Sequence, residues 1–166
     1  MTEITLQGNK INTNAEIPEV GGQAPDFTLV DSELNNVNLS SYKGKNIVLN
    51  IIPSLDTPVC QKSTKIFNER VAAMNNVVVL AVSADLPFAM KRFCTSENIN
   101  SVIPLSMMRS RNFAKDYGVL LVDGSLSGIT ARAVVVINKN NEIIYSELVN
   151  EIANEPNYDD ALDCIS

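Results

Sequence analysis

Cysteine carries whatever nucleophilic chemistry this chain can do. The 166 residues include three cysteines and no histidine. That removes histidine-dependent triads and imidazole metal sites, and leaves Cys, Asp, Glu, Lys, Arg and Tyr for acid, base or nucleophilic work. Cys60, Cys94 and Cys164 are widely spaced, with no C-x-x-C pair, which argues against a structural zinc site. Cys60 has the most informative surroundings, closing the run PSLDTPVC from Pro53 to Cys60. Pro53 stops an apolar run, Thr57 is a preferred N-cap type, and Pro58 suits the first helical position because its missing N–H would be unpaired there anyway. Cys60 is then the third residue of a helix, among free backbone N–H groups at the positive end of the helix dipole, and both effects favour thiolate over thiol. With no histidine to serve as base, such activation is the remaining route to a nucleophile. The Thr57 hydroxyl, three residues back, can cap the helix and offer a hydrogen to a nearby sulfur or substrate oxygen. The residues alone leave a second reading open, in which Cys60 is a small filler on the apolar side of a helix.

These positions depend on the elements around them. Ile4–Gln7 and Lys10–Asn12 flank Gly8-Asn9, a two-residue connection suited to a tight hairpin. Asp26–Val30 and Val37–Leu39 read as short strands, and the β-branched run Asn46–Ile52 reads as a central strand covered on both faces. From Pro58 to about Met74 the period becomes helical. Val59, Cys60, Ile66, Phe67, Val71 and Met74 fall within an arc of about 140°, the width of a core-facing stripe; Arg70 falls inside it too. Asn76–Ala84 is a second buried strand, and Leu86, Ala89, Met90 and Phe93 repeat with helical spacing. Val102–Leu105 reads as a strand, and Ser110–Tyr117 as a helix ended by Gly118. Ala131–Ile137, a turn at Asn138–Asn141, Glu142–Leu148 and a helix from about Asn157 close the chain. This order predicts an α/β fold, a thioredoxin-like sandwich with an N-terminal β-hairpin extension, in a single domain over residues 1–166. TPVC then occupies the slot where a disulfide reductase carries C-x-x-C, with Thr in place of the first thiol, which argues against that chemistry.

Composition narrows the partners. Lys+Arg 13 against Asp+Glu 19 gives a net charge of -6, and no basic cluster interrupts it, so neither nucleic acid nor a membrane surface is an expected partner. The absence of a membrane-spanning run or a signal peptide points to the cytoplasm. In that reducing setting the cysteines are expected as thiols or redox-active groups.

At PSLDTPVC the sequence resembles the peroxiredoxin family. Pro53, Thr57 and Cys60 match its P-x-x-x-T-x-x-C signature, and the fuller motif resembles the thiol peroxidase subfamily, the atypical two-cysteine type. SADLPFAMKRFC (Ser83–Cys94), FAKDYGV (Phe113–Val119), ARAVVVI (Ala131–Ile137) and ELVNEIANEPNYDDAL (Glu147–Leu162) extend the resemblance, in order, over nearly the whole chain. It implies reduction of hydrogen peroxide and organic hydroperoxides, no metal or organic cofactor, recycling by thioredoxin and a homodimer. Position by position it also implies roles: Cys60 as peroxidatic nucleophile, Thr57 orienting the peroxide, Pro53 shielding the pocket, Arg132 supplying a fixed positive charge and Cys94 resolving the Cys60 sulfenic acid as an intramolecular disulfide. Without the resemblance, Arg132 reads as a strand-edge surface charge and Cys94 as a thiol packed beside Phe93. Cys164 has no counterpart in the pattern and reads as incidental. Met107-Met108 reads as core filling, or as the lining of a channel or subunit interface. A different class of function, a non-catalytic thioredoxin-like redox-sensing binding protein or holdase, differs from the enzyme in having no sustained turnover.

Overall fold

The computed structural model describes residues 1–165. The N-terminal hairpin pairs β1 (Thr2–Leu6) with β2 (Asn9–Thr13) in a two-stranded antiparallel sheet. Its turn is centred on Gln7-Gly8, one residue earlier than the sequence suggests. Both carry positive φ, 51° and 81°, the combination a type I′ hairpin requires, and Gly8 takes the second left-handed position without steric cost.

A second, seven-stranded sheet forms the body. Its strands are β3 (Thr28–Val30), β4 (Asn36–Asn38), β5 (Asn46–Ile51), β6 (Val77–Ser83), β7 (Val102–Ser106), β8 (Ala133–Ile137) and β9 (Ile143–Leu148), in the order β4-β3-β7-β6-β5-β8-β9. β5, β6 and β7 run parallel, and the remaining pairs are antiparallel. Because side chains alternate along a strand, β5 feeds two cores. Ile47, Leu49 and Ile51 face one core with Phe27, Phe113 and Tyr117; Val48 and Ile52 face the other with Phe67, Met90, Phe93, Cys60 and Cys94. Each such aliphatic or aromatic burial contributes about 1.5–3 kcal/mol before entropy is subtracted. This is the thioredoxin-like sandwich anticipated from the element order, with the hairpin as its extension.

Helices α1 (Pro58–Val71), α2 (Pro87–Ser96) and α4 (Tyr158–Asp163) cover the face holding both Cys60 and Cys94, and α3 (Asn112–Asp116) covers the other. α1 stops three residues before Met74. Its buried stripe includes Ser63 and Thr64, two small polar residues absent from an apolar count. Arg70 is not a core residue: it reaches out to pair with Asp159 at 2.7 Å, joining the last turn of α1 to the first of α4. In α2 the stripe shifts. Leu86 lies outside the helix in extended backbone and is 53% exposed, while Pro87, Met90, Phe93 and Cys94 are buried. α3 ends as anticipated at Gly118, where φ is +67° and a Cβ would lie 2.0 Å from the Glu16 carbonyl oxygen, so only glycine fits. Met107 fills the α3-side core and is 1% exposed. Asn157 caps α4, its side-chain oxygen accepting from the Asp160 amide at 3.0 Å. Among the described residues no helix is long and apolar enough to cross a membrane.

Candidate active site

β5 runs into Pro53 and the chain turns through residues 54–57 into α1. Thr57 is extended (φ -101°, ψ 145°), Pro58 is the first helical residue and Cys60 is therefore the third. The Thr57 hydroxyl does not cap the helix. It donates back to the Ser54 carbonyl at 2.9 Å, and among the described residues no other side chain takes over the cap. The amides of Val59 and Cys60 belong to the first turn, which has no intrahelical acceptors, so the N–H groups at this end are left for a ligand. Two fully buried hydroxyls hold the Cys60 backbone from beneath. Ser63 Oγ and Thr64 Oγ1 donate to the Cys60 carbonyl at 3.1 and 2.8 Å. The spacing i+3 and i+4 from Cys60 was visible in the sequence, but hydroxyl-bearing residues on an apolar arc gave no reason to single them out.

Arg132, the residue immediately before β8, is buried at 2% exposure rather than displayed at the surface. Its Nη1 donates to Cys60 Sγ at 3.3 Å and its Nε to the Ile152 carbonyl at 2.9 Å. Among the described residues no carboxylate forms an ion pair with it. A buried guanidinium with no carboxylate in direct contact is costly unless its charge is complemented, and Glu155 reaches it only as a longer-range charge. Here the sulfur of Cys60, itself fully buried, is the polarizable group set against it.

A cavity of about 280 Å³ opens beside this pair. Pro53, Thr57, Pro58, Val59 and Arg132 line one side; Leu6 and Gln7 of the hairpin, with Leu126, Ile129, Ile152 and Ala153, complete the wall. The structure thus brings Pro53, Thr57, Cys60 and Arg132 together. Cys94 shares an apolar cluster with Cys60 but sits on α2; neither cysteine is among the residues lining the cavity, and both are free thiols. Burial pushes the Cys94 thiol up to about 11, so it is protonated at neutral pH while α2 stays in place. Cys164 is exposed at the end of α4, its thiol donating to the Ala161 carbonyl at 3.0 Å. Among the described residues no cluster of three or more His, Cys, Asp or Glu side chains is arranged to hold a metal.

The hairpin wall has its own fastening, which the sequence did not announce. The Glu151 carboxylate accepts from the Thr5 hydroxyl and from the amides of Gln7, Gly8 and Ala153 at 2.8–3.1 Å. These bonds, led by the Ala153 and Gly8 amides, hold its carboxyl down to about 2. A depressed carboxyl contributes stability above its usual value near 4.5, and the contribution is lost as pH falls toward 2. Hydrogen exchange should therefore show the Gln7 and Gly8 amides losing protection in that window, and Glu151→Gln should lose it already at pH 7. Unchanged protection in Glu151→Gln would show that Glu151 does not fasten the hairpin.

The chain matches known proteins over nearly its whole length. The redoxin family profile matches residues 19–162. The chain is 51% identical over 162 residues to the thiol peroxidase of Mycobacterium tuberculosis (strain H37Rv), covering 98% of this chain and 97% of that protein, and equally so to the thiol peroxidase of Mycobacterium bovis. Its structure superposes on a peroxiredoxin-like protein from Aquifex aeolicus with a TM-score of 0.92 at 44% identity, over 98% of this chain and 95% of that one. The thiol peroxidase from Chromobacterium violaceum, at 21% identity and TM-score 0.89 over 96% and 93% of the two chains, shares the fold.

Proposed function

Because the chain belongs to the redoxin family, in its peroxiredoxin branch of thiol peroxidases, and is a thiol-dependent peroxidase, we propose that Cys60 is its peroxidatic nucleophile, Cys94 its resolving thiol and thioredoxin its reductant. One observation carries the assignment of Cys60. Its sulfur is the only one of the three that meets a buried cation, Arg132 at 3.3 Å, beside a cavity large enough for a hydroperoxide.

The chemistry follows in two steps. The Cys60 thiolate attacks one peroxide oxygen, an S–O bond forms as the O–O bond breaks, and two electrons pass from sulfur to the peroxide. The departing oxygen leaves as alkoxide or hydroxide and takes up a proton, giving an alcohol or water, while Cys60 becomes a sulfenic acid. Arg132 and the uncapped first-turn amides are placed to stabilise the negative charge as it moves from sulfur to oxygen. Thr57, its hydrogen committed to Ser54, keeps lone pairs free to accept from the peroxide O–H, and Pro53 closes the cavity floor against water. Cys94 sulfur then attacks the Cys60 sulfur, forming a disulfide and releasing the hydroxyl as water. Cys94 is a buried free thiol on a separate helix, and local opening of α2 is the step that exposes it for reaction. Thioredoxin, a dithiol, restores both thiols by exchange. This supply of reducing equivalents fits the cytoplasm, and a homodimer is the assembly proposed for the working enzyme. The apolar wall of Leu6, Val59, Leu126, Ile129 and Ile152 supports organic hydroperoxides as substrates beside hydrogen peroxide.

The test is thioredoxin-coupled consumption of hydrogen peroxide and of an alkyl hydroperoxide, with a thiol count. Sustained turnover is expected; a redox-sensing binding module would react once and stop. The reduced chain holds three thiols, and one equivalent of peroxide without reductant should leave 3 - 2 = 1, located at Cys164 by peptide mapping. Cys164 in the main intramolecular disulfide would overturn the assignment of Cys94.

A further inference from the structure

Asp85 sits between the loop that leads to Cys60 and the helix that carries Cys94. It precedes Leu86, the N-cap residue just outside α2, and its carboxylate reaches across to residues 54 and 55. Oδ1 accepts from Ser54 Oγ at 2.7 Å; Oδ2 accepts from the Leu55 amide at 2.7 Å and from Ser83 Oγ at 2.8 Å. Among the described residues no lysine or arginine pairs with it, so its charge is met by neutral donors from two segments. Hydrogen bonds to an ionised acceptor are about twice as strong as neutral ones. The backbone of Asp85 is fixed as well: its amide donates to Ser83 Oγ at 3.1 Å, and its carbonyl accepts from Ser106 Oγ at the end of β7. Ser83 and Ser106 are fully buried.

The bond to Ser54 passes directly into the site. The Ser54 carbonyl accepts both the hydroxyl of Thr57 at 2.9 Å and its amide at 3.2 Å, so the orientation of Thr57 depends on where Ser54 is held. In the other direction, the Leu86 carbonyl accepts the first amides of α2, from Ala89 and Met90. Near its root α2 has little else to hold it: Leu86 and Phe88 are 53% and 63% exposed, and its buried anchors besides Cys94 are Pro87, Met90 and Phe93.

Resting on the proposed roles of Cys60 and Cys94, we infer that Asp85 is a positioning residue that latches the Ser54–Thr57 loop to the root of α2, favouring peroxide reduction while restraining the helix opening that disulfide formation requires. The two steps therefore make opposite demands on it. Loosening the latch misplaces Thr57 and slows oxidation of Cys60; the same loosening frees α2 and speeds attack by Cys94. A residue that merely supports the fold would slow both.

The chain contains no tryptophan, so the steps are best separated by rapid quench, trapping the Cys60 sulfenic acid and the Cys60–Cys94 disulfide for mass spectrometry. Asp85→Asn keeps the side-chain shape but turns an amide donor toward donors. Ser54→Ala removes one bond and leaves Asp85 in place. In each folded variant oxidation is expected to slow about 10-fold or more, the scale of one charge-assisted hydrogen bond, while disulfide formation accelerates severalfold. Ser54→Thr, which keeps the hydroxyl, should restore both rates. If Asp85→Asn fails to fold, Ser54→Ala and Ser54→Thr carry the test. Slowing of both steps together, or no change in either, overturns the latch. The wild-type trace tests the underlying roles separately: failure to form the sulfenic acid and then the disulfide would remove the reading on which the latch rests.

Discussion

Replacing Cys60 with Ser is expected to abolish peroxide turnover, lowering the rate by about 10^4-fold or more, as loss of an enzyme's nucleophile commonly does. A hydroxyl at neutral pH is a far poorer nucleophile toward peroxide oxygen than a thiolate, and neither remaining cysteine can stand in. Cys94 is on α2, away from the Arg132 guanidinium that contacts Cys60; its thiol, raised to about 11, stays protonated while buried. Cys164 is exposed beyond α4. The isosteric exchange changes one atom in a packed site, so the fold should persist, as a thermal melt would verify. Cys94→Ser should behave differently, undergoing a single oxidation that stops at a trapped Cys60 sulfenic acid, and Cys164→Ser should keep full thioredoxin-coupled turnover. The coupled assay with both peroxides measures all three variants. Appreciable turnover by Cys60→Ser would exclude Cys60 as the nucleophile.

What could be read in advance was local. The strand period of Asn46–Ile52, the T-P start of α1 and Gly118 after α3 each depend on preferences expressed within a few residues, and the corresponding elements are present. The hairpin turn moved by one residue because left-handed φ at Gln7 depends on the twist of both strands, not on the residue type alone. Leu86 stands just outside α2; helical spacing cannot tell whether the first apolar residue lies inside the helix or just before it. For the candidate site, Pro53, Thr57 and Cys60 were legible because eight consecutive residues contain them. Arg132 was legible only through a family pattern, since an arginine beside a strand is ordinarily exposed and its burial follows from the convergence of β8, α1 and residue 152 in space. Asp85 and Glu151 had no local signal. Their carboxylates bind groups about 30 and more than 140 residues away, contacts that exist only once the sheet has assembled.

Arg132→Gln should lower the rate constant for Cys60 oxidation by about 10²–10³-fold, the usual consequence of deleting one preorganised donor aimed at developing charge. The guanidinium performs two tasks at once: Nη1 meets the sulfur and Nε holds the Ile152 carbonyl. Ile152 is itself tied to the hairpin through its amide and the Thr5 carbonyl at 3.0 Å, so Arg132 connects the Cys60 sulfur to the wall of the cavity. Gln is neutral and shorter and cannot span both partners. Leaving the Ile152 carbonyl unpaired would also cost about 1–3 kcal/mol of stability, and a melt separates that loss from the catalytic one. Arg132→Lys tests charge against geometry. Its ammonium keeps the charge but lacks the planar array of donors, and a single nitrogen cannot occupy both the Nη1 and Nε positions. Lys should therefore recover only part of the rate and leave either the sulfur or the Ile152 carbonyl without its partner. Rapid-quench measurement of Cys60 oxidation in the three proteins decides the matter. Full recovery by Lys would reduce the role of Arg132 to its charge alone, and an unchanged rate in a folded Arg132→Gln would remove it from the reaction and leave the first-turn amides of α1 to stabilise the departing oxygen.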